Sequence, residues 1–258
     1  MTDSHAHLNH PDFASDLEEV LARARSAGVG RMIVVGYDLA SSRRAVELAE
    51  RETGVFAAVG VHPHDAETWS SEARPELREL ARRGRVVAIG ETGLDYHRDL
   101  SSREAQRASL QAHLEVAIEA GLPVILHNRK AAEDLLAILE GPIRRLPAMI
   151  WHCFSGEREL ARRALELGLF LGLGGPLTFQ NARRLREVAA ELPLERVLLE
   201  TDCPYLAPHP LRGRRNEPAN LALIAEELAR LRRISLETLL AQTEKNAEAA
   251  FPGLKEAS

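Results

Sequence analysis

Two kinds of hydrophobic pattern alternate along the chain. Short apolar runs rich in β-branched residues occur at Arg31–Tyr37, Val55–Val61, Val86–Glu91, Pro123–His127, Met149–Phe154, Leu169–Gly174 and Val197–Asp202, and the opening Met1–His7 segment makes an eighth. Between them lie stretches such as Phe13–Ala27, Ala40–Thr53, Ser102–Ala120, Lys130–Glu140, Glu157–Leu167 and Ala182–Leu192, whose apolar residues recur at helical spacing over three turns or more. Strands that alternate with helices pair in parallel, because each helix returns the chain to the starting edge of the sheet. The runs are hydrophobic on both faces, and eight of them predict an α/β fold closed into a (β/α)8 TIM-type barrel, a single domain over residues 1–258. From about Pro218 to Phe251 the pattern predicts two further helices, with Ser235 as an N-cap and Glu237 in the first turn, so the barrel carries an extra C-terminal helix. No G-x-G-x-x-G follows the first run, which leaves an open dinucleotide-binding sheet without support.

Composition narrows the function classes. A chain of 258 residues with 45% hydrophobic content is ordinary for a soluble domain, and no apolar stretch approaches the roughly 18 residues needed to cross a bilayer. Met1 leads directly into polar residues without an export signal, and Cys153 and Cys203 form neither a C-x-x-C motif nor a disulfide framework. The expectation is a cytoplasmic monomer with no membrane and no obligate protein partner. A net charge of −5 argues against a broad basic face for duplex DNA, so any phosphate site must be local.

The polar residues at the ends of the runs carry the chemistry. In parallel barrels the C-terminal ends of different strands converge on one mouth. Here the runs close on His5-Ala6-His7, His62, Glu91, His127, His152 and Glu200-Thr201-Asp202. His5 and His7, two apart on an extended backbone, present both imidazoles on one face. Nothing in core packing asks for an imidazole at His127 or His152, whereas metal binding does. A buried Glu91 would be costly without a partner, and its two oxygens suit it to bridging cations. The expected metal ligands are therefore His5, His7, Glu91, His127, His152 and Asp202. Asp202 is also expected to accept the proton of an attacking water, with Glu200 deeper in, orienting a neighbouring ligand. Two divalent cations, Mg²⁺, Zn²⁺ or Mn²⁺, would activate that water toward an ester, amide or phosphodiester. His62, His64, Arg129 and Arg214 are the candidates for substrate binding, since imidazole and guanidinium groups suit a phosphate. Cys153 and Cys203, each following a ligand, are expected to face away from the metals.

These residues carry a family resemblance. The chain is similar to TatD-type deoxyribonucleases of the metal-dependent amidohydrolase superfamily through Asp3-Ser-His-Ala-His-Leu8, Gly60-Val-His-Pro-His64, Ile89-Gly-Glu-Thr-Gly-Leu-Asp-Tyr96, Leu126-His-Asn-Arg129, His152-Cys-Phe-Ser-Gly156, Leu199-Glu-Thr-Asp-Cys-Pro-Tyr-Leu206 and Arg215-Asn-Glu-Pro218. The resemblance implies a first metal held by His5, His7, Glu91 and Asp202 and a second by Glu91, His127 and His152. It further implies His62 in the substrate site and activity on DNA ends, as a 3′-to-5′ exonuclease or a less specific DNase. Membership of such a family fixes chemistry better than substrate. The alternative is an ester or amide hydrolase, such as a D-aminoacyl-tRNA deacylase or a lactonase-like enzyme. A non-catalytic metal-dependent binding module is disfavoured by the candidate base Asp202.

Overall fold

A computed structural model describes residues 1–70, 72–141 and 143–255. The eight strands are β1 (Thr2–Ala6), β2 (Arg31–Val35), β3 (Val55–Val59), β4 (Val86–Asp95), β5 (Val124–Arg129), β6 (Met149–Trp151), β7 (Phe170–Leu173) and β8 (Val197–Leu199), arranged in sequence order with every neighbouring pair parallel. The helices are α1 (Leu17–Ser26), α2 (Leu39–Arg51), α3 (Ala73–Ala81), α4 (Arg103–Ala120), α5 (Ala132–Leu139), α6 (Arg158–Glu166), α7 (Arg183–Glu191), α8 (Leu221–Arg232) and α9 (Leu236–Ala250). This is the (β/α)8 barrel that the pattern predicts. None of the described helices is long and apolar enough to cross a membrane.

Alternation along the strands divides the core in two. Met32 and Val34, Ala57 and Val59, Val124 and Leu126 belong to the large cluster that also holds the apolar residues of the helices. Ile33, Val35, Phe56, Ala58, Ile125, Ile150, Phe170 and Leu198 form a second cluster, which fills the barrel. Ala247, Ala250, Phe251 and Leu254 join that inner cluster, so α9 and the turn after it plug the barrel at the end opposite the strand C-termini. Ser235 caps α9 by accepting from Thr238 N, as its position predicts.

Closure runs through polar groups. Thr201 donates to Asp3 from both its N–H (2.9 Å) and its hydroxyl (2.6 Å), Asp202 N donates to the His5 carbonyl (2.9 Å), and His7 N donates to the Cys203 carbonyl (2.8 Å). These bonds tie the segment after β8 to β1.

Two local departures from the predicted elements matter. Helix α3 is absent from the periodicity reading, and its Pro75 sits in the first turn, where a missing N–H costs little. Strand β4 continues four residues past Glu91 to Asp95, because Gly90 and Gly93 take φ of +141° and +146°, values open to glycine.

Candidate metal centre

The site is the last layer of the barrel interior. Two residues beyond the inward Ile125, Ile150 and Leu198, the same face of the chain brings His127, His152 and Glu200. Glu91 stands at the centre, 3% exposed, its N–H donating to the Gly36 carbonyl. Its two oxygens face different partners. Oε2 lies 3.4 Å from His5 Nε2 and 3.7 Å from His7 Nε2, whereas Oε1 lies 2.7 Å from His127 Nδ1, 2.9 Å from His152 Nε2 and 3.5 Å from His62 Nε2. Asp202 Oδ1 completes the first group at 3.5 Å from His7 Nε2 and 3.9 Å from His5 Nε2, and the two imidazole nitrogens are 3.1 Å apart.

These spacings are those of donors around a cation. Ligands about 2.0–2.2 Å from a divalent ion stand roughly 3.0–3.6 Å from one another. Two imidazole nitrogens 3.1 Å apart can share one proton or face one cation, and the Glu91 and Asp202 oxygens beside them favour the cation. His5, His7 and Asp202 form one group able to hold a metal, and His62, Glu91 and His127 form another. The second nitrogens are prepared for that task. His7 Nδ1 lies 2.9 Å from the Val35 carbonyl, which fixes the proton on Nδ1 and leaves the Nε2 lone pair free. His152 Nδ1 faces Glu200 Oε1 at 3.5 Å, and the same oxygen accepts from Cys153 N. An added Cβ on Gly172 would lie 2.2 Å from Glu200 Oε2, so glycine there makes the room this carboxylate occupies.

Burial and charge oppose each other throughout. Burial drives the Glu91 carboxyl up, but His152, His62 and the hydrogen bonds of His127 and His152 outweigh it and hold it well below the ordinary carboxylate range. Burial likewise raises Asp202, while its hydrogen bond to His7 and the nearby His152 and His5 bring it below its usual value. Both carboxylates are ready to meet positive charge. His62 goes the other way, kept well below the normal imidazole range by burial and by the neighbouring His127 and His64 in spite of Glu91.

The structure redraws some details. Asp202 is not on an extended strand beside Glu200, since β8 stops at Leu199 and Asp202 has φ of +57°. Cys153, at φ +48°, is turned into the wall of the cavity and not away from it, while Cys203 is fully buried as expected. His62, His64 and Arg129 line a cavity of about 650 Å³ above the carboxylates. Arg214 is not brought there; it is exposed in the loop after β8. Arg215 pairs with Asp16 and lies over the Phe13 ring, and Arg212 lies over Phe179.

One residue of consequence escaped the sequence reading. Asp95 Oδ2 lies 2.7 Å from His64 Nε2 and 3.5 Å from His127 Nε2, and Oδ1 accepts from the N–H groups of His97 and Arg98. Burial would raise this carboxyl, and those hydrogen bonds hold it far below its ordinary value. It therefore holds the His64 imidazole by a hydrogen bond and sets its charge beside the outer nitrogen of His127. The signal was present in Gly93-Leu-Asp95, but glycines after an apolar run read as a turn, not as a continuing strand.

Comparison with known proteins agrees with the geometry. The model of the TatD related DNase family matches residues 2–252. Over 96% of its length the chain is 43% identical to an uncharacterized metal-dependent hydrolase, YabD, of Bacillus subtilis (strain 168), covering 98% of that protein. It is 40% identical to a Klebsiella pneumoniae (strain 342) protein named 3′-5′ ssDNA/RNA exonuclease TatD, with 97% of each chain covered. Among solved structures, the TatD homologue YjjV of Escherichia coli K12 superposes with a TM-score of 0.93 at 35% identity over 98% of both chains. Matched from its second residue to the turn after its last long helix, the chain belongs to the TatD-related DNases and is a metal-dependent hydrolase.

Proposed function

We propose that this hydrolase is a 3′-to-5′ exonuclease that removes nucleotides from DNA ends by attack of water at a site whose residues would hold two divalent cations. The observation that carries the reading is the division of Glu91, one oxygen toward His5 and His7 and the other toward His127 and His152. In this reading His5, His7, Glu91 and Asp202 hold the first cation, and Glu91, His127 and His152 hold the second. Four imidazoles favour Zn²⁺ or Mn²⁺ on ligand softness, and Mg²⁺ is the third candidate. Bound there, such cations would lower the pKa of water and offset the charge that builds on the phosphate oxygens.

The chain's own residues do the rest. Asp202, ionised at neutral pH and at the cavity wall, accepts the proton of the attacking water. Asp95 holds His127 by its outer nitrogen so that Nδ1 faces Glu91. Neutral His62 donates a hydrogen bond to the substrate at the edge of the second group, and Arg129 contributes a guanidinium for phosphate oxygens. A net charge of −5 suits binding at such a local site and not along a duplex. The relative named as an ssDNA/RNA exonuclease supports a nucleic-acid substrate. The test is metal analysis of the purified protein together with nucleotide release from single-stranded DNA across Mg²⁺, Mn²⁺ and Zn²⁺. Release in steps from the 3′ end is expected, and no release at any metal concentration removes the nuclease reading.

A further inference from the structure

The mouth of the barrel presents apolar surface that none of the described residues covers. Leu100 is 63% exposed, Tyr205 51% and Leu206 38%, and only Leu236 joins them as an exposed large hydrophobic residue among those described. The first three line the cavity above Glu91. Apolar groups gathered at the rim of a polar site mark a place where a ligand covers them.

Tyr205 and Leu206 are held in position. Tyr205 N donates to the Asp202 carbonyl (2.9 Å), and the Tyr205 carbonyl accepts from Asn216 Nδ2 (2.8 Å), a buried amide that also donates to the Thr201 carbonyl. Leu206 sits at φ +52°, a left-handed backbone that disfavours leucine, and its carbonyl packs so closely on Gly175 that an added Cβ there would lie 1.8 Å away. The loop that supplies Asp202 thus also supplies an aromatic ring and a leucine on a fixed backbone. The Tyr205 ring is 6.1 Å from that of His7, centroid to centroid, so it borders the first group of ligands. Across the cavity, Arg98 and Arg129 are exposed, and neither has an acidic partner among the described residues.

Resting on the nuclease reading, we infer that Tyr205 and Leu206 form a stacking subsite for the base next to the scissile phosphate, with Arg98 and Leu100 receiving the adjoining nucleotide across the mouth. Stacking uses the face of a base, which every base has, so the subsite accepts any sequence. In a duplex those faces are already covered by neighbours. The subsite therefore selects a single strand or a frayed end, and it does so without a broad basic surface, against which the net charge argues.

The experiment compares wild type, Tyr205→Phe and Tyr205→Ala on two substrates. One is oligothymidylate with 2-aminopurine at its 3′ end, whose fluorescence falls when the base stacks. The other is methyl 2,2,2-trifluoroethyl phosphate, a diester with no ring to stack, followed by fluorine NMR. Tyr205→Ala is expected to raise KM for the oligonucleotide about tenfold and to abolish the quenching on binding, while activity on the small diester stays within about twofold. Tyr205→Phe is expected to keep all three. Unchanged KM and quenching in Tyr205→Ala overturn the subsite, as does an equal loss on both substrates, which would mean that the ring acts through Asp202. Wild type that cleaves the diester and no oligonucleotide refutes the nuclease reading, and the subsite with it.

Discussion

At the scale of single residues, the site is a set of carboxylates whose ionised state is maintained against burial by imidazoles, and that balance makes each residue testable. Asp202→Asn keeps the size of the side chain and removes the proposed proton acceptor; turnover is expected to fall by about 100-fold or more with an unchanged circular dichroism spectrum. Undiminished turnover would refute the role given to Asp202. Asp95→Asn removes a charge that touches His64 and His127 and no candidate reacting atom. Loss of such an outer partner weakens metal affinity by about 10–100-fold, which competition with a chromogenic chelator reads directly. An affinity equal to wild type would reduce Asp95 to a packing role. His5, His7, Glu91, His127, His152 and Asp202 were all legible as side chains that end apolar runs. Asp95, Tyr205 and the inward turn of Cys153 were not, because they depend on backbone angles that an apolar–polar pattern does not encode.

At the scale of elements, two couplings position the mouth. The first joins β4 to β5. Gly93 pairs with His127, has φ of +146°, and leaves no space for a side chain, since an added Cβ would be 2.0 Å from the His127 carbonyl oxygen. Gly93→Ala is expected to cost about 3 kcal/mol or more by urea unfolding and to lower metal affinity as well, because the pairing that fails is the one that carries His127. The second joins α4 to the segment after β3. His113 Nε2 accepts from the N–H of Val61, the residue before His62 (3.0 Å), and its Nδ1–H donates to the Ser109 carbonyl (2.7 Å), an arrangement that requires a neutral ring. Burial lowers its pKa from 6.5 to about 4. The folded state then binds fewer protons than the unfolded chain between these values. Stability from this residue is complete above pH 6.5 and falls by up to about 3 kcal/mol as the pH drops toward 4. His113→Gln, which can still accept from Val61 N, is expected to flatten the stability profile in that window; parallel profiles for the two proteins would exclude His113 as the cause. The order of strands and helices was readable from periodicity alone. The extension of β4 was hidden by its glycines, and α3 by the proline in its first turn.

At the scale of the whole molecule, metal and fold are linked. Donors held a few ångström apart in a buried layer are stabilised by a cation that binds the folded state alone, so the unfolding temperature should rise with the logarithm of metal concentration. The gain is about 2.7 kcal/mol at one hundred times the dissociation constant, and a flat response in a thermal scan would contradict the cradles. The opposite end of the barrel depends on α9 and the turn after it. Removing the chain from Ala247 onward would uncover Ile33, Phe56, Val87 and Leu198, which pack in one cluster with Phe251 and Leu254. The expected product is an insoluble protein, and a soluble, active truncation would show that the plug is dispensable.

The stitches from Thr201, Asp202 and Cys203 to Asp3, His5 and His7 have a temporal consequence. Synthesis delivers His5 and His7 first and Asp202, the carboxylate that faces them, only about 195 residues later. A partly translated molecule therefore lacks the assembled site altogether. The hydrolase stays inert while it is being made, and becomes competent only when the segment after β8 has met β1.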